Sequence, residues 1–317
     1  MSDAPLVSVI IPTWNGAALL PACLDAVRAQ TYPRLETIVV DNASTDETAA
    51  LLCQRYPEVR VLVLPENRGL TGAVNAGIRA AAGEIIALLN NDAEAEPAWV
   101  ASLAGALLEH PQAGSAASKM LLYDRRDVLN SAGDTYGLDG LPANRGVWEK
   151  DVGQYDAGGE VFGGCGGAVA YRKQMLDEIG LFDEELFMYC EDVDMAWRAQ
   201  VAGYRCIFVP QARVYHRLSA TGGGKIASYY TGRNTLWVLA KDYPAGLLRR
   251  YWPRVLRAQL RIAWEALRAW RGEAARARLR GQWAGLRGFG RWRAKQAEVY
   301  RHRRVSDAEL ERLLRGS

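Results

Sequence analysis

Two hydrophobic rhythms alternate along roughly the first ninety residues. A short aliphatic run at Val7–Ile11 reads as a buried strand, and Leu35–Val40, Val59–Leu64 and Glu84–Leu89 read as further strands. Between them apolar residues recur at helical spacing: over Leu19–Ala29, from a Ser44–Glu47 capping-box pattern to about Tyr56, and over about 72–82. This alternation predicts an α/β fold with a parallel, doubly wound sheet and right-handed crossovers. The order then breaks. Residues 115–170 hold strand-like pieces and Gly-rich loops, among them Gly163-Gly164-Cys165-Gly166-Gly167. A helix over about 173–179, another opening at Glu191 with Val193, Trp197 and Val201 at helical spacing, and a strand Tyr204–Val209 follow. Trp197 is expected in the core.

From about residue 246 the rhythm is helical only. Trp252, Leu256, Leu260, Ala263, Leu267 and Trp270 fall on one stripe, with Arg250, Arg254, Arg257, Arg261 and Arg268 on its flank. Pro253 is tolerable in a first turn, which sets the expected helix start there. A second amphipathic segment, about 273–304, runs through Leu279, Trp283, Leu286, Trp292 and Tyr300 and is interrupted by glycines; Ser306 with Glu309 caps a last short helix. The expected division is a catalytic domain over 1–244 and a helical extension over 245–317.

Charge sharpens that division. The chain of 317 residues carries a net +3, too balanced for a nucleic-acid partner. Residues 245–317, however, hold 19 Lys+Arg against 6 Asp+Glu, so a basic tail follows an acidic body. Its Trp, Leu and Arg suit an anionic membrane surface, with packing on the catalytic domain or a homo-oligomer interface as competitors. The 49% hydrophobic and 24% charged composition excludes a disordered or collagen-like chain. Five cysteines without a CxxC pair fit neither a zinc site nor a disulfide framework and point to a reducing compartment. The opening MSDAPLVSVIIP lacks the basic region of a signal peptide, and no apolar run is long enough to span a membrane. The expected location is cytoplasmic, peripheral on the inner face of the cell membrane where the tail binds it.

Open α/β sheets bind ligands outside the carboxyl ends of their strands. Three such ends here are rich in oxygen: Pro12-Thr13-Trp14-Asn15, Asp41-Asn42-Ala43-Ser44 and Asn90-Asn91-Asp92. They can hydrogen-bond a base and ribose and offer a carboxylate to a divalent ion, although Asn, Asp and Ser also favour turns. The dinucleotide G-x-G-x-x-G and the Walker A loop are both missing. In Glu191-Asp192-Val193-Asp194, Glu191 and Asp194 share a helix face, which leaves Asp192 able to face a cleft as general base. His216, just past the last strand, faces the same cleft; His110 and His302 have no such setting.

In order over residues 7–217, VSVIIPTWNG, VVDNASTDET, NRGLTGAVNAGIRAAAGEIIALLNND, GGAVAYRK, GLFDEELFMYCEDVDMAWR and VYH resemble family 2 glycosyltransferases of the GT-A fold. The long EDVDMAWR version resembles rhamnosyltransferase-like enzymes of bacterial surface polysaccharide assembly. The resemblance implies a Rossmann-like, mixed, mostly parallel sheet flanked by helices. It implies that Pro12, Thr13, Asn15, Asp41, Asn42 and Ser44 line the nucleoside pocket, and that Asn67, Gly72 and Asn75 border nucleotide and sugar. Asn90-Asn91-Asp92 occupies the metal-binding Asp-X-Asp position, with Asn90 in place of the first acid. Asn91 and Asp92 would meet the donor, Asp92 and His216 would hold Mg²⁺ or Mn²⁺, Asp192 would be the base, and Gly166, Gly167 and Glu191 would border acceptor and sugar. The implied reaction is inverting transfer from a UDP-, dTDP- or GDP-linked sugar to a hydroxyl of a glycan or lipid-linked acceptor. The Q-x-x-R-W motif of processive synthases is missing, so one or a few sugars are expected. Two rivals remain at this stage: a non-catalytic nucleotide-sugar or glycan-binding module, and a nucleotidyltransferase releasing pyrophosphate.

Overall fold

The computed structural model describes residues 4–218 and 223–315. The chain opens with β1 (Val7–Thr13), α1 (Leu20–Arg28), β2 (Leu35–Asp41), α2 (Thr48–Arg55), β3 (Arg60–Val63), α3 (Gly69–Ala80) and β4 (Ile85–Leu89). β1 lies parallel to β2 and β4, and β2 parallel to β3. All seven residues of β1 are buried because helices cover both faces of the sheet. Then come β5 (Ala93–Ala95), α4 (Trp99–Glu109), β6 (Ala113–Leu122), β7 (Leu129–Ser131), β8 (Asp134–Tyr136), β9 (Pro142–Asn144), β10 (Gly159–Val161), β11 (Ala168–Arg172), α5 (Lys173–Ile179), α6 (Glu191–Val201) and β12 (Arg205–His216). The main sheet runs β10-β12-β6-β11-β4-β1-β2-β3. It is mixed: β11 is antiparallel to both β4 and β6, while β12 is parallel to β6. α1 and α4 pack on one face, and α3, α5 and α6 on the other.

Five helices close the chain: α7 (Lys225–Lys241), α8 (Ala245–Arg268), α9 (Glu273–Ala294), α10 (Gln296–Arg301) and α11 (Asp307–Arg315). An apolar cluster of Tyr136, Trp197, Leu236, Tyr243, Tyr251, Val255, Val299 and Leu310 joins them to α6. Trp197 lies in that core, as its spacing predicts. Ser306 and Glu309 make both reciprocal capping bonds at the start of α11.

Several local expectations are corrected. The second amphipathic segment is not broken by its glycines: α9 is continuous, and Gly281, Gly285 and Gly288 let it meet α7, since a Cβ at each would strike Tyr229 O, Arg233 O or the Trp237 indole. Pro253 sits inside α8, not in its first turn. It is solvent-exposed, so water can satisfy the carbonyl that its missing N–H leaves unbonded. Ser44 and Glu47 do not cap α2. Asp46 accepts the Thr48 N–H instead, while the Ser44 hydroxyl is taken by Asn15 N. α3 starts at Gly69, three residues ahead of its expected start.

Candidate active site

The ends of β1, β2 and β4 form one rim, in register: Thr13 lies opposite Asp41, and β4 runs on the other side of β1 into Asn90-Asn91-Asp92. The Asn91 amide donates to Thr13 Oγ1 (2.8 Å), which ties the first and third strand ends together. Asp41 accepts from Ser44 N (2.9 Å), Ser44 Oγ accepts from Asn15 N (2.8 Å), and Asn15 Oδ1 accepts from Thr45 N (2.8 Å). Asn15 and Ala43 reach these positions in left-handed backbone, φ 50° and 64°. Asn42 donates to Asn67 Oδ1 and Gly69 O, both at 3.0 Å. Thus Pro12, Thr13, Asn15, Asp41, Asn42, Ser44, Asn67, Asn91 and Asp92 share one rim. Gly72 and Asn75 lie inside α3, and the buried Asn75 amide is engaged by Phe182 O (2.8 Å) and Glu184 Oε1 (3.0 Å). Trp14, 51% exposed at the end of β1, is a ring on this rim that residue type alone did not single out.

Asp92 and His216 meet across the β5–β12 pairing, with His216 Nε2 3.2 Å from Asp92 Oδ1. The other ring nitrogen, Nδ1, bonds Asn130 Oδ1 at 2.9 Å. With the amide so assigned, Nδ1 donates to it, and Nε2 is the ring nitrogen turned toward the carboxylate oxygen. That juxtaposition suits a shared cation. A carboxylate and an imidazole fit Mn²⁺ or Mg²⁺ when diphosphate oxygens and water complete the shell. No cluster of three or more protein ligands exists among the described residues.

The second half of the site is the start of α6. Asp192 Oδ2 accepts from Gly166 N (2.9 Å) and Oδ1 from its neighbour Val193 N (2.8 Å), so the Gly-rich loop and the helix start hold one carboxylate between them. A Cβ at Gly166 would come 3.3 Å from Glu191 Oε1, and one at Gly167 would come 2.9 Å from Met120 Cε, so a side chain at Gly167 would need Met120 to move. Burial raises the Asp192 carboxyl, opposed by those N–H donors. Glu191 is buried, and burial followed by repulsion from Asp192 pushes it to about 8. A third carboxyl, Asp134 on β8, is raised by burial and then by Asp192. Sequence reasoning missed Asp134 because its surroundings are three-residue strands without a readable period. Asp194 is held low: burial alone would raise it, but Lys241 and Arg198 outweigh that, at 2.6 and 2.8 Å. Asn90 N donates to Gly167 O (2.9 Å), which ties the third strand end to the Gly-rich loop that holds Asp192 and so joins the two halves.

The segment before α6 is also held from behind. Phe187, Tyr189 and Cys190 all have positive φ, at 67°, 66° and 65°, which costs L-residues backbone energy. The fully buried Asn234 of α7 donates to Leu186 O (3.0 Å), Met188 O (2.9 Å) and Tyr189 O (2.7 Å). Arg233 donates to Glu185 O and Leu186 O. Neither residue carries a signal in the sequence beyond an Arg-Asn pair in a helix.

This fold and rim define a glycosyltransferase of the GT-A type. The pattern of Glycosyl transferase family 2 matches residues 8–180, over half of the chain, and the chain belongs to that family. It is 30% identical over 238 residues to uncharacterized protein y4gI of Sinorhizobium fredii, covering 70% of this chain and 26% of that protein. It is 27% identical over 231 residues to O-antigen biosynthesis protein RfbC of Myxococcus xanthus, covering 68% of this chain and 18% of RfbC. The chain thus spans about a quarter or less of the length of these two relatives. An N-acetylglucosaminyl-diphospho-decaprenol L-rhamnosyltransferase of Mycobacterium tuberculosis is 27% identical over 283 residues, 81% of this chain and 89% of that one. Among solved structures, GalNAc-T7 with UDP, GalNAc and Mn²⁺ superposes with a TM-score of 0.62 at 19% identity, over 76% of this chain and 48% of that one. Mannosyltransferase PcManGT from Pyrobaculum calidifontis with GDP-Man and Mn²⁺ gives 0.55 at 21%, over 95% and 86%. At these identities the superpositions establish the fold.

Proposed function

We propose that this chain transfers a sugar from a UDP-, dTDP- or GDP-linked donor to a hydroxyl of a glycan on a lipid-linked acceptor, with inversion, in cell-surface polysaccharide assembly at the inner face of a membrane. The observation that carries the reading is Asp192, a half-buried carboxylate held by two backbone N–H groups at the head of α6, one of them on a Gly-rich loop bonded to the polar rim through Asn90 N and Gly167 O. The rim residues Thr13, Asp41, Asn42 and Ser44 bind and orient the nucleoside. Asp192 takes the acceptor proton as its oxygen attacks the anomeric carbon from the face opposite the diphosphate. Neutral Glu191 stands beside it without adding a second charge, so Asp192 remains the ionised member of the pair. Asp92 and His216 would hold a divalent ion, which supplies charge neutralisation of the leaving diphosphate. The lipid-linked acceptor is supported by the rhamnosyltransferase relative, whose name specifies a diphospho-decaprenol acceptor. The surface role is supported by the O-antigen relative.

The test offers UDP-, dTDP- and GDP-sugars with a prenyl-diphosphate-linked N-acetylglucosamine and Mn²⁺. The expected products are a free nucleoside diphosphate and a glycan with inverted anomeric configuration, both lost in excess chelator and restored by Mn²⁺. Release of pyrophosphate from a nucleoside triphosphate, or full transfer in chelator, overturns the reading.

A further inference from the structure

Asp192 and Asp194 stand in the first turn of α6, and Asp194 is fully buried. Its carboxylate is held by Arg198 Nε (2.8 Å) and Lys241 Nζ (2.6 Å). Lys241 also pairs with Asp183 (3.1 Å), and Asp183 takes a second ammonium, that of Lys295 (2.8 Å). Lys295 joins α9 to α10, 112 residues further along the chain. Charges therefore alternate from the C-terminal extension into the turn that carries Asp192: Lys295, Asp183, Lys241, Asp194 and Arg198. The Asp183 and Lys295 side chains are 14% and 24% exposed, so solvent screens this pair less than an open surface pair.

Apolar packing reinforces the link. Leu186 is fully buried and packs with Trp237 and Ala240 of α7 and Trp292 of α9. Trp237 and Trp292 stack with ring centres 4.7 Å apart, and Lys295 Nζ lies 4.3 Å from the centre of the Trp292 ring. Lys295 also reaches Glu185 (2.9 Å), and Arg291 pairs with the same carboxylate. The turn from Asp183 to Leu186 is thus seated on the end of α9. Its other side is held separately by α3 and the residue before it. Glu184 accepts from Arg68 (2.6 Å) and from Asn75 (3.0 Å), and Phe182 exchanges two hydrogen bonds with the Asn75 amide, at 2.8 and 3.0 Å. Loss of the α9 seat would shift this turn and still leave it attached.

We propose that Lys295, through Asp183 and Lys241, is a positioning residue for Asp192, and that the end of α9 belongs to the catalytic unit. This rests on the reading above that Asp192 is the base. A base must lie within hydrogen-bond reach of the proton it takes, and a displacement of about 1 Å can cost about a hundredfold in rate. Gly166 N and Val193 N fix the Asp192 carboxylate locally. The Asp194–Lys241 pair fixes the turn itself, and Lys295 shares Asp183 with that lysine. Without Lys295, Asp183 has Lys241 as its ammonium partner and draws it away from Asp194.

Lys295→Met, Lys295→Arg, Arg303→Met and Asp192→Asn are compared with wild type as full chains. Steady-state transfer to prenyl-diphosphate-linked N-acetylglucosamine is measured beside amide exchange at the start of α6, where Asp194 N bonds Cys190 O (3.0 Å). Lys295→Met is expected to lower kcat about tenfold with donor KM little changed, and to speed exchange in that turn. Lys295→Arg keeps the charge and should regain most of both. Arg303→Met removes another ion pair of the extension, with Asp307 (2.6 Å), and should match wild type in both. Unchanged exchange in Lys295→Met overturns the positioning role whatever the kinetics. So does wild-type kcat in Lys295→Met when Asp192→Asn has lost it, or an equal loss in Arg303→Met, which would assign the effect to general loosening. Asp192→Asn transferring at the wild-type rate would instead fail the base assignment of the proposed function, while exchange still decides whether Lys295 holds the turn.

Discussion

At the scale of single residues, two adjacent carboxyls differ in hydrogen bonding and in ionisation because their surroundings differ. Asp192 has two N–H donors; Glu191 is buried, and its Oε2 has no hydrogen-bond partner. Ionisation therefore settles on Asp192, and the proton stays on Glu191 until about pH 8. Asp192→Asn is expected to lower kcat by a factor on the order of 10² or more with donor affinity retained. Glu191→Gln, which copies the neutral form, is expected to keep kcat within about tenfold. Reversal of those two outcomes in steady-state kinetics would move the base to Glu191. A stability effect follows with a definite sign. Glu191 is raised from 4.5 to about 8 on folding, so its stabilising contribution is full below pH 4.5 and is lost as pH rises toward 8. Glu191→Gln should therefore melt higher than wild type at pH 9 and show little advantage at pH 4, which thermal melts would check. Asp192 was legible in the sequence because its helix has an apolar face with Trp197 that turns it aside. Asp134 was not, because nothing local to β8 says which strand it will sit beside.

At the scale of elements, α7 is the least legible and the most consequential. Its buried residues run without a gap from Asn234 to Lys241, so no amphipathic stripe announces which side faces the catalytic domain. The strands β1 to β4 were legible because contiguous aliphatic runs between turn residues have few alternatives. α7 supplies Asn234, whose amide holds three carbonyls of a loop with three residues at positive φ. It also supplies Lys241, which pairs with Asp194 inside α6 and with Asp183 ahead of it. The loop and the first turn of α6 are thereby fixed from one helix. Asn234→Ala removes those bonds and leaves buried carbonyls unsatisfied, a cost of about 2 kcal/mol or more. The expected kinetic result, on the proposal that Asp192 is the base, is a kcat reduced about tenfold with donor KM little changed, because the loop adjoins Asp192 and not the nucleoside rim. Lysed loop geometry should also appear as faster amide exchange at residues 186–190. A variant that loses stability but keeps kcat would make Asn234 a structural residue only.

At the scale of the whole molecule, the C-terminal helices present a face that the chain itself leaves uncovered. α8 buries Leu247, Tyr251, Val255, Ala258 and Ala266 against the protein. Most of the stripe that the sequence displays points the other way: Trp252, Leu256, Leu260, Leu267 and Trp270, with the neighbouring Trp264 and with Trp283 and Leu286 of α9, are 48% to 63% exposed. Periodicity thus located the stripe, while which face packs inward depended on the partner helices, which the period does not encode. So many exposed Trp and Leu side chains on two helices are unusual for a protein surface, and arginines such as Arg250, Arg254, Arg257 and Arg261 surround them. No helix among the described residues is long and apolar enough to cross a membrane. An interfacial mode fits this face, with Trp and Leu entering the headgroup boundary of an anionic bilayer and arginine pairing with lipid phosphates. Deleting the extension is an unsuitable test, since α9 packs against α7 through its glycines and its loss would uncover the element that holds the loop before α6. Leu260→Ser/Trp264→Ser leaves the buried face intact. The full chain is expected to co-sediment with phosphatidylglycerol-containing vesicles and not with pure phosphatidylcholine, and binding should fall with added salt. The double variant should weaken that partitioning by about tenfold or more, given roughly 1.5–3 kcal/mol for burying each large apolar side chain. Its thermal melt and its transfer to a soluble acceptor should match wild type. Wild-type chain that ignores anionic vesicles at low salt, but sediments as a dimer that the double variant dissociates, would assign the face to a second copy of the protein.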